Sequence, residues 1–353
     1  MIGFRSIDYR RAWLGLVLAV PVAAGAANYS ARRTTVDSLE VVILSDAARA
    51  TEVSIVPSRG NIIYEMKVKG KNILPEAAGP PVKLNERKSL TGIPFMGPWA
   101  NRLDQDAFYA NGKKYILNPD LKNFGRDQFQ HPLHGLLSGS SLWKVASLTA
   151  NAQGAAVTSR LEFWKYPDLM AQFPFAHTIE LTYRLRDGVL EVETVLRNLS
   201  TDPMPVSIGF HPCFQVPDAP RDQWKLHLPA RDHVLLSPQL LPTGERKPVT
   251  FADPQTLADL SLDDVFANLV RGADGRAELW LEGAKQRVTV VFGPKYSTAV
   301  VYTSKGLNTA CIEPMAAITN ALNLSQAGLY KELQSIAPGA EWRESFWVRP
   351  SGF

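Results

Sequence analysis

Apolar and polar side chains alternate along much of this chain with a period of two. Ile179, Leu181, Tyr183 and Leu185 fall on one face of an extended segment, and Glu180, Thr182 and Arg184 on the other. After Asp187-Gly188 the same period resumes at Leu190, Val192, Thr194 and Leu196. Two such runs around an Asp-Gly pair predict an antiparallel hairpin whose primed turn uses the glycine's positive φ. Shorter β-type runs occur at residues 39–44, 53–56, 62–68, 224–228, 277–281, 288–292, 299–303 and 342–348, separated by polar turns such as Ser58-Arg59-Gly60-Asn61. Helical patterns are few, the best being short ones near Asp263 and within residues 317–333. Many short strands without helical crossovers predict an all-β protein, its antiparallel sheets packed as a large sandwich. Residues 75–81, rich in Pro and Gly, read as a loop, and no repeat of fixed period is present.

With 353 residues, 45% hydrophobic and 20% charged, the chain can bury a large core, which excludes disorder. Residues 1–27 read as an export signal: a basic start ending in Arg10-Arg11, an uncharged run, and the small triplet Ala24-Gly25-Ala26. The apolar run contains Pro21 and falls short of the roughly 20 residues that span a bilayer, so cleavage is expected rather than anchoring. Arg10-Arg11-Ala12-Trp13-Leu14 resembles a twin-arginine signal, although two arginines also make an ordinary basic leader. The partition is therefore leader 1–27, linker 28–38 and one domain over 39–353, periplasmic or secreted, with no membrane contact after cleavage. The formal charge of +4 loses three positive charges and one negative with the leader, leaving +2, too little to argue for a nucleic-acid partner. Cys213 and Cys311 are the only cysteines, so this is no disulfide scaffold.

Candidate chemistry starts at Glu313, which closes an apolar run with no cation beside it. Burying a carboxylate costs several kcal/mol or raises its pKa, and a raised pKa suits a general base; a structural Glu capping the turn at Pro314 is the alternative. Gly97-Pro98-Trp99-Ala100-Asn101-Arg102 reads as a loop in which Arg102 offers fixed donors for hydroxyls or a carboxylate and Trp99 a flat apolar face. His131-Pro132-Leu133-His134-Gly135 places His134 before a glycine, a position suited to a cleft; its two histidines lack a partner at a recognisable metal-ligand spacing, so no metal is expected. His211 lies in Gly209-Phe210-His211-Pro212-Cys213-Phe214, at the end of an apolar run. His177, His227 and His233 read as structural.

Together these pieces resemble the aldose 1-epimerase (mutarotase) family. The matching residues are Ala100-Asn101-Arg102, Phe108, Gly112, Tyr115, Leu133-His134-Gly135, Trp143, Gly209-Phe210-His211-Pro212 and Phe214. They continue, in collinear order, with Leu241-Pro242-Thr243-Gly244, Leu262-Asp263-Asp264-Val265-Phe266, Ile312-Glu313-Pro314 and Asn320-Ala321. The resemblance implies a galactose mutarotase-like supersandwich with an open sugar cleft and cofactor-free interconversion of α and β anomers. It implies Glu313 as the base at the C1 hydroxyl and His211 as the acid at the ring oxygen. Arg102, His134, Asp263 and Asn101 would bind the sugar. Asp264 is the neighbouring alternative to Asp263; in an extended segment only one of the two can line the cleft.

Where many members carry a sugar-binding Gln, before the aromatic of the Tyr302 strand, this chain has Val300. Cys213 and Cys311 stand two residues from His211 and Glu313, so on strands both would border the cleft; reduced buried thiols are the first expectation and a disulfide the second. Two rival functions are a hexose-6-phosphate epimerase, with Arg87, Lys88, Lys122 and Arg126 as candidate phosphate ligands, and a non-catalytic sugar binder. A weaker third is a polysaccharide-active enzyme on the same sandwich. The presence of Glu313, His211, His134 and Arg102 together speaks against a binder. The oligomeric state is not legible.

Overall fold

The structure, a computed structural model, describes residues 28–75, 92–258 and 260–353. The hairpin forms where the alternation places it, from His177–Arg186 and Val189–Asn198, with Asp187 and Gly188 both at positive φ in the turn. It sits inside a nine-stranded antiparallel sheet. That sheet runs in the order Lys144–Asn151, Gly154–Glu162, the two hairpin strands, Glu341–Ser351, Arg287–Phe292, Ala277–Glu282, Lys225–His227 and Gln255–Thr256.

A second large sheet carries the chemistry. Its order is Pro242–Pro248, Ala230–Leu236, Leu262–Leu269, Thr298–Thr303, Ala310–Met315, Gly209–Phe210 and Phe95–Met96, with Cys213–Phe214 also pairing to Ala310–Met315. Its core-facing side chains, among them Phe266, Val301 and Ile312, join Leu279, Val290 and Phe346 of the nine-stranded sheet in one buried cluster. Phe210 meets Phe346 with ring centroids 4.9 Å apart. Each large apolar side chain buried there contributes roughly 1.5–3 kcal/mol, enough to hold the two sheets face to face. A five-stranded meander from Tyr29–Val36 to Lys71–Asn72 adds Val42, Val53 and Ile63 to the same cluster.

Two expectations are corrected. The segment read as a linker carries the strand Tyr29–Val36, paired along its length with Leu39–Asp46 through a turn in which Asp37 and Ser38 both have positive φ. Its polar, arginine-rich side chains suit an edge strand and hide the pattern. The segment near Asp263 is the strand Leu262–Leu269, not a helix. Phe266 packs in the inter-sheet cluster and Val265 and Ala267 in a second cluster, so both faces are apolar and no period survives to read. The helix within residues 317–333 is Ala321–Gln326. No helix among the described residues is long and apolar enough to cross a membrane. The leader, Arg87, Lys88 and most of the Pro/Gly-rich loop lie outside the described residues.

Candidate active site

Strand register brings the two proposed proton carriers together. Gly209 pairs with Met315 and Cys213 with Cys311, so His211 falls opposite Glu313. His211 Nε2 is 3.3 Å from Glu313 Oε1, and the Glu313 side chain is 1% exposed. Glu313 Oε2 and His134 Nδ1 are buried polar atoms with no hydrogen bond. Residues directly opposite on antiparallel strands share a face, so Asp263, Tyr302, Cys311 and Cys213 form one row beside the row of Val265, Val300, Glu313 and His211.

Burial governs the titration of this pair. Desolvation pushes the Glu313 carboxyl well above the usual carboxylate range, with the Asp263 charge adding to it and Arg102 opposing. Desolvation likewise lowers His211 to about 4, with the Arg102 charge a lesser cause. His134 is lowered well below its ordinary value by burial, then by His211 and Arg102. Over the range between the two displaced titrations, Glu313 and His211 together hold one proton. Moving it from carboxyl to imidazole would create a base and an acid without exchange with solvent.

Arg102 is held by three acceptors. Nε donates to Asp127 Oδ2 at 2.8 Å, Nη1 to Asn101 Oδ1 at 2.9 Å and Nη2 to Asp263 Oδ2 at 3.3 Å. Asn101, read as a sugar ligand, is itself buried, in left-handed backbone, with its carboxamide oxygen spent on Arg102. It therefore positions the guanidinium directly. His134 also has a left-handed backbone, its N–H bonded to Asn101 O at 2.8 Å, and its ring meets the His211 ring edge-on with centroids 5.5 Å apart. Gly135 follows with φ +68, and a Cβ there would lie 2.2 Å from Gly97 O, so only glycine closes this turn.

The alternation separates Asp263 from Asp264 as expected. Asp263 accepts from Arg102, whereas Asp264 accepts from His233 Nε2 at 2.7 Å. His227 pairs with Asp253, and His177 bonds Phe175 O while stacking on Phe163. Trp99 offers no platform: it is fully buried, edge-on to Phe124.

Sequence reasoning missed Asp127. Its side chain is 1% exposed and takes Arg102 Nε, the His131 ring at 3.2 Å and the backbone N–H groups of Phe129 and His131. Burial would raise its pKa, but these hydrogen bonds outweigh burial and lower it. The spacing Asp127 to His131 was the available signal. The cysteines also correct an expectation: Cys213 and Cys311 form a disulfide, S–S 2.02 Å, where reduced thiols were the first reading. Direct opposition in the sheet, Cα–Cα 3.9 Å, is what brings them together.

The family model for aldose 1-epimerase matches residues 42–349. The chain belongs to the aldose 1-epimerase family. Solved structures agree on the fold. A galactose mutarotase-like protein from Clostridium acetobutylicum superposes with a TM-score of 0.82 at 21% identity, over 92% of this chain and 99% of its own. A protein from Synechocystis sp. PCC 6803 gives 0.71 at 26% identity, over 91% and 98%. Galactose 1-epimerase from Lactobacillus acidophilus NCFM gives 0.68 at 15%, over 92% and 98%.

Within the epimerase family's site, Val300 has a definite place. It stands opposite Glu313 on one side and Val265 on the other, and both valines are essentially buried. The two valines give the carboxylate apolar neighbours, in keeping with its desolvation. Of the cations weighed as phosphate ligands, Arg126 is engaged bidentately with Asp106 at 2.8 Å and lies over the Phe124 ring.

Proposed function

We propose that this epimerase-family protein interconverts the α and β anomers of a free aldose by acid–base ring opening and reclosure. The observation that carries the reading is the buried Glu313–His211 pair, in which His211 Nε2 lies 3.3 Å from Glu313 Oε1 while Glu313 Oε2 is left without a partner. Mutarotation needs a base and an acid at two oxygens bonded to one carbon, and a contacting carboxyl–imidazole pair matches that demand.

Glu313 Oε2 takes the proton of the C1 hydroxyl while His211 Nε2 gives its proton to the ring oxygen. The C1–O bond of the ring breaks and a free aldehyde forms. After rotation about C1–C2 the former ring oxygen attacks the other face of the aldehyde. His211 recovers its proton from that hydroxyl, and Glu313 returns one to the carbonyl oxygen. Arg102, held flat by Asp127 and Asn101, and Asp263 orient the sugar hydroxyls, with His134 placed to assist at the ring oxygen.

A free sugar is the preferred substrate because an exported enzyme meets few phosphorylated sugars, and Arg126, one of the cations weighed for phosphate, is already paired with Asp106. We propose further that residues 1–27 act as an export leader and that the reaction takes place outside the cytoplasm. Exchange NMR on equilibrated glucose, galactose, xylose and arabinose tests it. Accelerated exchange between anomeric signals of at least one aldose is expected; none with any of the four, from folded protein, would sink it.

A further inference from the structure

The disulfide lies against a catalytic histidine, and the three side chains together make a ligand set of a different kind. Cys213 Sγ is 3.4 Å from His211 Nδ1, and the donor atoms of His211, Cys213 and Cys311 all lie within 4.8 Å of one another. We propose that reducing the Cys213–Cys311 bond converts this floor of the cleft into a site for one thiophilic divalent cation of the Zn²⁺ or Cd²⁺ type. The two thiolates and His211 Nδ1 would be its protein ligands, with solvent completing the tetrahedron.

The geometry fits that class of ion. Zinc–sulfur bonds of about 2.3 Å and zinc–nitrogen bonds of about 2.0–2.1 Å, at tetrahedral angles, separate S from N by ~3.6 Å and S from S by ~3.8 Å. The present S···N distance of 3.4 Å is already close to the first requirement. The second needs the sulfurs to part, which side-chain rotation supplies once the bond between them is open. The backbone is already set, because Gly209–Met315 and Cys213–Cys311 pairing fixes the two strands. Imidazole and thiolate are the donors that select zinc-type ions over hard cations. His211 Nε2 points to Glu313, so Nδ1 is the nitrogen left for a metal, and a cation there confines the ring proton to Nε2. The cysteines are buried, and the His211 side chain, 15% exposed, is the part of the ligand set that meets solvent.

The chemistry balances with a dithiol as reductant. It supplies two electrons and two protons, closes to its own disulfide, and leaves Cys213 and Cys311 as thiols. Binding the cation then releases both thiol protons and forms two metal–sulfur bonds. The claim concerns cation binding alone and stands apart from the sugar chemistry.

Titration of the full chain with Cd²⁺, after reduction and removal of the reductant, reads the site through the ultraviolet thiolate-to-cadmium charge-transfer band. The band should grow to one equivalent per chain, reverse with EDTA, and be missing from the oxidised protein. Cys311→Ser should abolish it with the circular dichroism of the sheets unchanged, and His211→Asn should weaken binding at least ~10-fold. Any of four results would overturn the proposal: no band from folded, reduced protein; an equal band in Cys311→Ser; unaltered affinity in His211→Asn; or loss of the fold on reduction, which leaves no folded site to occupy.

Discussion

Glu313 and His211 are driven toward their neutral forms by the same desolvation, one carboxyl raised and one imidazole lowered, so a single proton serves both. Glu313→Gln and His211→Asn should each reduce turnover about 10²- to 10⁴-fold with unchanged melting curves. Normal turnover by either folded variant would remove that residue from the mechanism. The acid limb of the kcat/KM profile should fall near pH 4, where His211 takes a second proton for the pair and no base remains. A limb near 6.5, the ordinary histidine value, would show that burial does not control it.

Buried histidine also sets a stability term. His177 is lowered to about 4 by desolvation, against an unfolded value of 6.5. The unfolded chain therefore binds the extra proton between those values. The contribution is complete above pH 6.5 and is lost as pH falls toward 4, on the order of 3 kcal/mol if the full shift is realised. His177→Phe should flatten the melting temperature against pH over that window, and an unchanged slope would assign the loss to other groups.

At the scale of elements, register and turns decide what the site contains. His211 faces Glu313 because two short strands pair in register with Ala310–Met315, and His134 faces His211 because Gly135 can adopt φ +68 against Gly97 O. Gly135→Ala should therefore lower melting temperature and kcat together, by a strain of about 1–3 kcal/mol or more; native values of both would show that the turn tolerates a side chain.

Legibility in the sequence follows the same physics. The 177–198 hairpin could be read because one face is core and the other is polar. The Leu262–Leu269 strand could not, because Val265, Phe266 and Ala267 put buried apolar side chains on both faces in succession, and Tyr29–Val36 could not, because an edge strand has little apolar face to show. Residue type and family resemblance single out Glu313, His211, Arg102, His134 and Asp263, and the structure sets these side chains next to one another. Asp127, the burial of Asn101 and Trp99, and the cysteine pairing depend on contacts between distant segments, which no local pattern encodes.

For the molecule as a whole, the nine-stranded sheet acts as a rigid backing. Phe210 packs on Phe346 and Tyr296 one residue from His211, and Ile312 packs in the same core one residue from Glu313. Each of the two proposed proton carriers thus has a core side chain as its chain neighbour, which ties their 3.3 Å contact to the packing of the sandwich. Arg102 depends instead on the 97–135 segment, so Arg102→Lys, which loses the planar fork held by Asp127 and Asn101, should raise KM more than it lowers kcat. The reverse split in steady-state mutarotation kinetics would place Arg102 in the proton transfer itself.

The most direct measurement is the optical rotation of freshly dissolved α-glucose and α-galactose at neutral pH, followed with native protein, with Glu313→Gln and with neither. The account predicts that native protein hastens the approach to an unchanged anomeric equilibrium for at least one of the two sugars, and that the variant does not. Equal rates with native protein and Glu313→Gln, both folded, would contradict it.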